Sequence, residues 1–272
     1  MSLPEINLNH GIHALHLFYR IHRNQWSLLG EDAKKKALDE LSRLCADNNA
    51  PSYPRLRTFA NIGGKADIGF FYLGKTLGDI GEMQQSIETL FPAGTLQPVF
   101  QYLSVTELSE YMSGEEDHQK TLVEEEGLEI GSEAFEQRMQ EIRKRIEDYR
   151  HYRLYPELPD WDILCFYPMN KRRLGEDNWY RLDFATRKKL MGGHARVGRK
   201  YHGRISQLIT GSTGLDDWEW GVTLMAKQTD AVKEIVYEMR FDEVTSRFGE
   251  FGPFFVNLRL EPEPLFEHLR LI

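Results

Sequence analysis

Cysteine, net positive charge and long apolar runs are all scarce in this chain. Only two cysteines occur among its 272 residues, Cys45 and Cys165. Each sits in an otherwise apolar stretch with no neighbour at the spacing of a thiolate metal site or a redox pair, so both read as small buried hydrophobes. Lys and Arg number 34 against 42 Asp and Glu, for a formal charge of -8. That balance gives no global field to hold a polyanion, and nucleic acid is not expected as a partner. No apolar run approaches the roughly 18 to 20 residues of a membrane span, and the N-terminal MSLPEINLNHG has no basic segment leading into an apolar one; a cytoplasmic location is expected. What the chain does have is apolar and aromatic material, 41% and 12%, enough for one large core or two domain-sized ones.

Two segments run through the same order of signals, the first from near residue 12 and the second from near residue 161. HLFYRI and then Trp26 are matched by LCFYPM and then Trp179. Each leads into a charged helical pattern, ALDELSRL and ATRKKLMGGHARVG. A strand, a Gly-rich turn and a second strand follow, TFANIGGKADIGFFYL in one copy and SQLITGSTGLDDWEWGVTL in the other. Each copy then has a helix, MQQSIETL or AVKEIVYEMR, and an extended aromatic run, VFQYLSV or FFVNLRL. The order β-α-β-β-α-β is the ferredoxin-like plan, an α+β unit whose helices pack on one face of an antiparallel sheet. Two such units in tandem are expected to pair their sheets into a barrel-like layer.

The segment between the copies is rich in Glu, Lys and Arg with opposite charges three or four apart. It reads as an acidic loop followed by a solvated connecting helix. The closing EPEPLFEHLRLI reads as a tail lying across a surface or a neighbouring subunit. The expected boundaries are 1–110, 111–160, 161–260 and 261–272. ALHLFYRIH reads as a strand with His16 and His22 on one face, so His10, His13, His16 and His22 do not converge on one site and are not expected to bind a metal.

On a helix, Leu190, Met191, Val197 and Tyr201 surround His194, which places the imidazole in the middle of an apolar face where it needs a polar partner. Along LCFYPMNKRR the period of two puts Cys165, Tyr167, Met169 and Lys171 on one side. Gln207 shares a side with Ile209 and Gly211, and Trp218 shares one with Trp220 and Val222. A pocket of Tyr, Met, Gln, Trp and Ile with cations at its mouth suits a flat apolar ligand with carboxylates at its edge.

The stretches FYPMNKRR, NWYRLDFATRKKLMGGHARVGR, QLITGSTGLDDWEWGVTL and YEMRFDEVTSRFGEFGPFFV resemble, in order and spacing, the C-terminal half of the coproheme decarboxylases, haem proteins of the chlorite dismutase-like group. The resemblance implies a dimeric α+β barrel assembled as a homopentamer. It implies that iron-coproporphyrin III (coproheme) is oxidised by hydrogen peroxide, losing two propionates as carbon dioxide to give haem b through a tyrosyl radical. Transient contact with coproporphyrin ferrochelatase is implied as well. By position, His194 matches the axial iron ligand, Tyr167 the redox-active tyrosine and Gln207 the distal-side residue. Met169, Lys171, Arg199, Trp218 and Arg240 match residues that line the pocket or hold propionates, as does Arg153 in RLYPELP. Thr245 stands where the family often has a propionate-binding serine, and Ala195 follows the histidine where glycine is more usual. Chlorite dismutases carry an arginine where Gln207 stands; a neutral amide cannot attract an anionic oxidant in the same way, which favours peroxide over chlorite. The other readings that remain are a chlorite dismutase or haem peroxidase, and a non-catalytic haem carrier or sensor. Asp242 and Glu243 are both candidates to hold the second nitrogen of His194.

Overall fold

The order of signals in the two copies is the order of elements in the computed structural model, which describes residues 5–49, 53 and 55–272. The first copy supplies β1 (His13–Ile21), α1 (Arg23–Ser27), α2 (Glu31–Asp47), β2 (Arg55–Ile62), β3 (Ile68–Gly74), α3 (Leu77–Leu90) and β4 (Leu96–Thr106). Two helices follow, α4 (Glu115–Glu124) and α5 (Glu133–Leu154). The second copy runs β5 (Ile163–Lys171), a small hairpin β6 (Arg173–Leu174) and β7 (Asp177–Asn178), α6 (Phe184–Arg199), β8 (Ile205–Gly211), β9 (Trp220–Ala226) and α7 (Thr229–Met239). It closes with α8 (Glu243–Phe248), β10 (Gly249–Phe251), β11 (Phe255–Arg259) and α9 (Pro262–His268).

Both copies set their strands in the same antiparallel order, β4-β1-β3-β2 and β11-β5-β9-β8. β11 pairs with β2 and β4 with β8, so these eight strands close into a ring. Closure removes the free edges that two separate sheets would expose. The β4–β8 seam is short, joining only Val105 and Thr106 to Gly211 and Thr210.

Alternation along each strand separates an inner face from an outer one. Phe18, Phe71, Tyr102, Phe166 and Phe255 fill the ring, each buried ring contributing roughly 2–3 kcal/mol. Polar pairs are set among them: His16 with Thr223, Ser104 with Thr210, and Asn61 with Asn257. The outer face of the first sheet is closed by α2, α3 and α9, with Leu41, Ile87 and Phe266 fully buried. The outer face of the second is only partly closed. α7 packs on it through Ala231, Ile235 and Met239, whereas α6 has no buried residue at all.

Three expectations are corrected. The acidic stretch expected as a loop is helical: Asp117 accepts from the Gly114 amide at 3.0 Å, three acidic residues in the first turn suit the helix dipole, and Leu122 packs against Phe135, Met139 and Ile142. The closing segment does lie across a surface, the outer face of the first sheet, but as part of the core and not as a tail. It folds as α9 with a proline in its first turn, and buries Leu265, Phe266, Leu269 and Leu271 beside Trp26, whose indole donates to the Leu271 carbonyl at 2.9 Å. The strand pattern does not extend back to Trp218 either. β9 begins at Trp220, and Trp218 packs with the inner cluster, lying against the position a Cβ on Gly252 would take.

Candidate functional site

The register of the second sheet fixes what shares its outer face. Tyr167 lies opposite Val222, which lies opposite Ile209. The neighbouring row on one side is Met169, Trp220 and Gly211, and on the other Cys165, Leu224 and Gln207. With strands about 4.8 Å apart, the Cα atoms of Tyr167 and Gln207 stand roughly 12 Å from each other. Lys171 continues the same side of β5 two alternations beyond Tyr167.

Across this face runs α6. Asp183 caps its N-terminus by accepting from the Thr186 amide at 2.9 Å, and its main neighbours are α7 and α8. The stripe expected to be apolar is there, but Leu190, Met191 and Val197 are only half-buried. Met169, Ile209, Phe251 and Val256 on the sheet side are also only partly buried. Leu190 and Met191 pack toward Trp179, Val244 and Phe248, and Val197 toward the sheet-side cluster. The strip between helix and sheet, the slot, is thus lined by partly buried apolar side chains of the kind a flat ligand packs against.

His194 projects from α6 with Nδ1 3.0 Å from Asp242 Oδ2. Asp242 is nearly buried, caps α8 through the Thr245 amide at 3.0 Å, and accepts from the Thr245 hydroxyl at 2.9 Å. Burial alone would raise this carboxyl, but the hydrogen bonds from His194 and Thr245 outweigh it and hold Asp242 below its ordinary range. An ionised Asp242 can only accept, so His194 Nδ1–H is the donor and Nε2 is the nitrogen left to ligate a metal. Of the two candidate acids, then, it is Asp242 that meets the histidine. Glu243 pairs with Arg247 at 2.8 Å. Thr245 is buried, and its one hydroxyl proton is already held by Asp242.

Tyr167 is buried, stacked on Phe254 at 4.4 Å between centroids and close to Phe251. Burial pushes its phenol well above the ordinary value, the nearby Cys165 adds to this, and Arg240 opposes it. Lys171 is also buried, its ammonium 4.8 Å from the Trp179 ring centroid. Burial lowers it to about 8, against the pull of Asp242 and Glu219. Arg240, at the end of α7, covers Phe251 at 3.9 Å. Arg153, at the end of α5, donates to the Ile209 carbonyl at 3.3 Å, and its buried Nε has no partner among the described residues. Gln207 donates its amide to the Gly198 carbonyl of α6 at 3.4 Å. Among the described residues no carboxylate lies within 4.0 Å of Lys171, Arg153, Arg199 or Arg240, whereas Arg187, Lys188, Arg204 and Arg247 are all paired. Unpaired cations around an apolar slot, with one imidazole nitrogen free, make a donor set that fits an iron tetrapyrrole bearing carboxylates.

The register sets Tyr167, Met169, Lys171 and Gln207 on one face of the second sheet, with His194 on the helix that crosses it, Arg240 over Phe251 and Arg153 at the Ile209 carbonyl. Arg199 ends α6 in an exposed position, and Trp218 is partly buried against the inner cluster. Sequence reasoning missed Trp179 beneath Lys171, Phe251 and Phe254 over Tyr167, and Glu107, which accepts from the Trp220 indole at 3.2 Å. The run FGPFF held a signal for the phenylalanines; Glu107 lies outside the second copy and gave none. The N-terminal histidines disperse: His13 meets the Lys75 carbonyl, His16 is inside the ring, and His10 and His22 are exposed.

A family model described as chlorite dismutase matches residues 34–260. The solved structure of a haem-binding protein from Thermus thermophilus is 35% identical, covering 99% of this chain and 100% of its own, with a TM-score of 0.79. A doubly substituted chlorite dismutase from Candidatus Nitrospira defluvii has a TM-score of 0.70 at 15% identity, over 96% of this chain and 97% of its own. The enzyme from that source in complex with imidazole gives 0.67 at 14% identity, over 96% of both chains. The likeness to these last two is one of fold. Among the described residues no helix is long and apolar enough to cross a membrane.

Proposed function

This chain belongs to the chlorite dismutase family, and we propose that within it the protein is a coproheme decarboxylase. In this reading it uses hydrogen peroxide to turn two propionates of iron-coproporphyrin III into vinyl groups, giving haem b. The observation that carries the reading is the His194–Asp242 pair facing a slot whose sheet side holds Tyr167 and a neutral Gln207. The 35% identical relative being a haem-binding protein supports the ligand class.

The bound tetrapyrrole is both the substrate and, with peroxide, the source of oxidising equivalents. His194 would hold the iron through Nε2, and Asp242 would make that nitrogen a stronger donor by accepting from Nδ1. Lys171, Arg240 and Arg153 would hold propionates by charge-assisted hydrogen bonds. Tyr167 would give up an electron and a proton, then take a hydrogen atom from the β-carbon of the propionate beside it. The electron left on that carbon passes to the second oxidising equivalent that peroxide supplies as carbon dioxide leaves, and a vinyl group remains. Phe251 and Phe254 exclude water from the phenol, which protects a radical there from side reactions. Thr245, its proton engaged, serves by fixing Asp242. Gln207 places no charge near the oxidant, which favours peroxide. A homopentamer and a handover from coproporphyrin ferrochelatase belong to the same proposal.

The test is to mix the purified protein with coproheme and peroxide and follow product masses. Successive loss of two carboxyl groups, ending at haem b, is expected. Oxygen release from chlorite with no vinyl product would instead indicate a dismutase, and reversible binding with no product a carrier.

A further inference from the structure

The decarboxylation, on which this inference rests, consumes protons. For each propionate, one carboxylate side chain, one H2O2 and one H+ give a vinyl group, CO2 and two waters. The two electrons released as the C–H and C–COO bonds break are taken up by the O–O bond as it cleaves, and the oxygens leave as water. A proton must therefore arrive where peroxide is reduced. The Gln207 amide cannot be that source, because it does not ionise near neutral pH.

The carboxylates around the slot are mostly committed. Asp242 holds His194 and Thr245. Glu219 holds the Lys171 amide and the Tyr180 hydroxyl. Glu238 holds Lys200 and the Tyr201 hydroxyl at 2.8 Å. Glu107 is different. It follows β4 and folds back over β8 at the short seam, so that its carboxylate occupies the space in which a Cβ on Gly211 would stand. Its one hydrogen bond among the described residues comes from Trp220 Nε1 to Oε1. It thus lies on the outer face of the second sheet, in line with Ile209 and Gln207 along β8, and it is exposed to solvent.

We propose that Glu107 is the proton-supplying carboxylate of the slot, loaded from solvent and discharged toward the oxygen released from peroxide on the sheet side. From Gly211 to Gln207 the strand runs about 13 Å, a span that the two side chains and one or two bridging waters cover. Desolvation raises the Glu107 carboxyl, against the Trp220 hydrogen bond and the Arg153 charge, while Glu110 adds to the rise. The remaining titratable neighbour is Tyr102, whose burial keeps it neutral. A raised carboxyl with solvent access is suited to picking up a proton and passing it on.

Two measurements on Glu107→Gln test this. In the ligand-free protein, tryptophan emission titrated from acid to neutral pH is expected to show a transition above the ordinary glutamate range. That transition should be lost in both Glu107→Gln and Trp220→Phe. In the coproheme-loaded protein, the peroxide-driven rate is expected to fall about 100-fold in Glu107→Gln and to lose its dependence on that ionisation, with coproheme affinity unchanged. Glu107→Asp should restore part of the rate. Gly211→Ala, whose methyl meets the flexible Glu107 carboxylate first, should reproduce the kinetic defect with Glu107 still present. Wild-type protein that makes haem b beside a Glu107→Gln variant with the same rate and pH profile overturns the inference alone. Wild-type protein that makes no haem b overturns the decarboxylase reading and this one with it.

Discussion

His16 from the first copy and Thr223 from the second share a hydrogen bond of 2.9 Å at the centre of the ring, with the imidazole stacked between Phe71 and Phe166. Its Nδ1 has no partner among the described residues, and burial holds the group down to about 3. The folded protein thus keeps His16 neutral where the unfolded chain, near 6.5, takes up a proton. Acid therefore favours unfolding, and the penalty grows as pH falls from about 6.5 toward 3 at up to roughly 1.4 kcal/mol per unit. Urea unfolding at pH 7 and pH 4.5 should show a stability difference that shrinks by up to about 3 kcal/mol in His16→Gln. An equal difference in both proteins would contradict this.

Asp242→Asn leaves His194 without an ionised acceptor. Coproheme affinity is expected to drop 10- to 100-fold or thereabouts, with the ferric–ferrous potential shifting upward as the imidazole becomes a weaker donor. The loss of helix capping should stay under about 1 kcal/mol, since asparagine also caps. Redox titration and thermal unfolding separate the two effects.

Tyr167→Phe keeps the stacking on Phe254 and removes the phenol. It should bind coproheme with near wild-type affinity and form no haem b with peroxide. Normal turnover, followed by mass, would place the radical elsewhere.

Lys171, lowered to about 8, loses its charge in the free protein above that pH. Binding a propionate requires the charged form, so coproheme affinity should decline above about pH 8, by at most tenfold per unit. In Lys171→Met that decline should vanish while affinity below pH 8 is reduced. A pH series of spectroscopic titrations decides it.

The β-α-β-β-α-β order was legible twice over because hydrophobic period, turn residues and caps are local signals, set by residues within a few positions of each other. The same holds for the shared side of Tyr167, Met169 and Lys171, which the pleat of a strand dictates. It failed at Trp218, where two residues of irregular chain broke the alternation before β9 began. It failed too in the acidic stretch, where the contacts that stabilise α4 come from α5.

Other features depended on chain segments far apart in sequence meeting in space. That Asp242 rather than Glu243 reaches His194 follows from α8 starting at residue 243 and packing on α6. That Glu107 leans on Gly211 follows from the seam joining β4 to β8. The closing segment becomes a core element only because ring closure leaves the first sheet with an apolar face for it to cover. Local periodicity thus determined which elements form and which way their side chains alternate. Closure of the ring decided which of those side chains meet, because a contact between residues a hundred positions apart is set by packing and leaves no trace in the spacing of either.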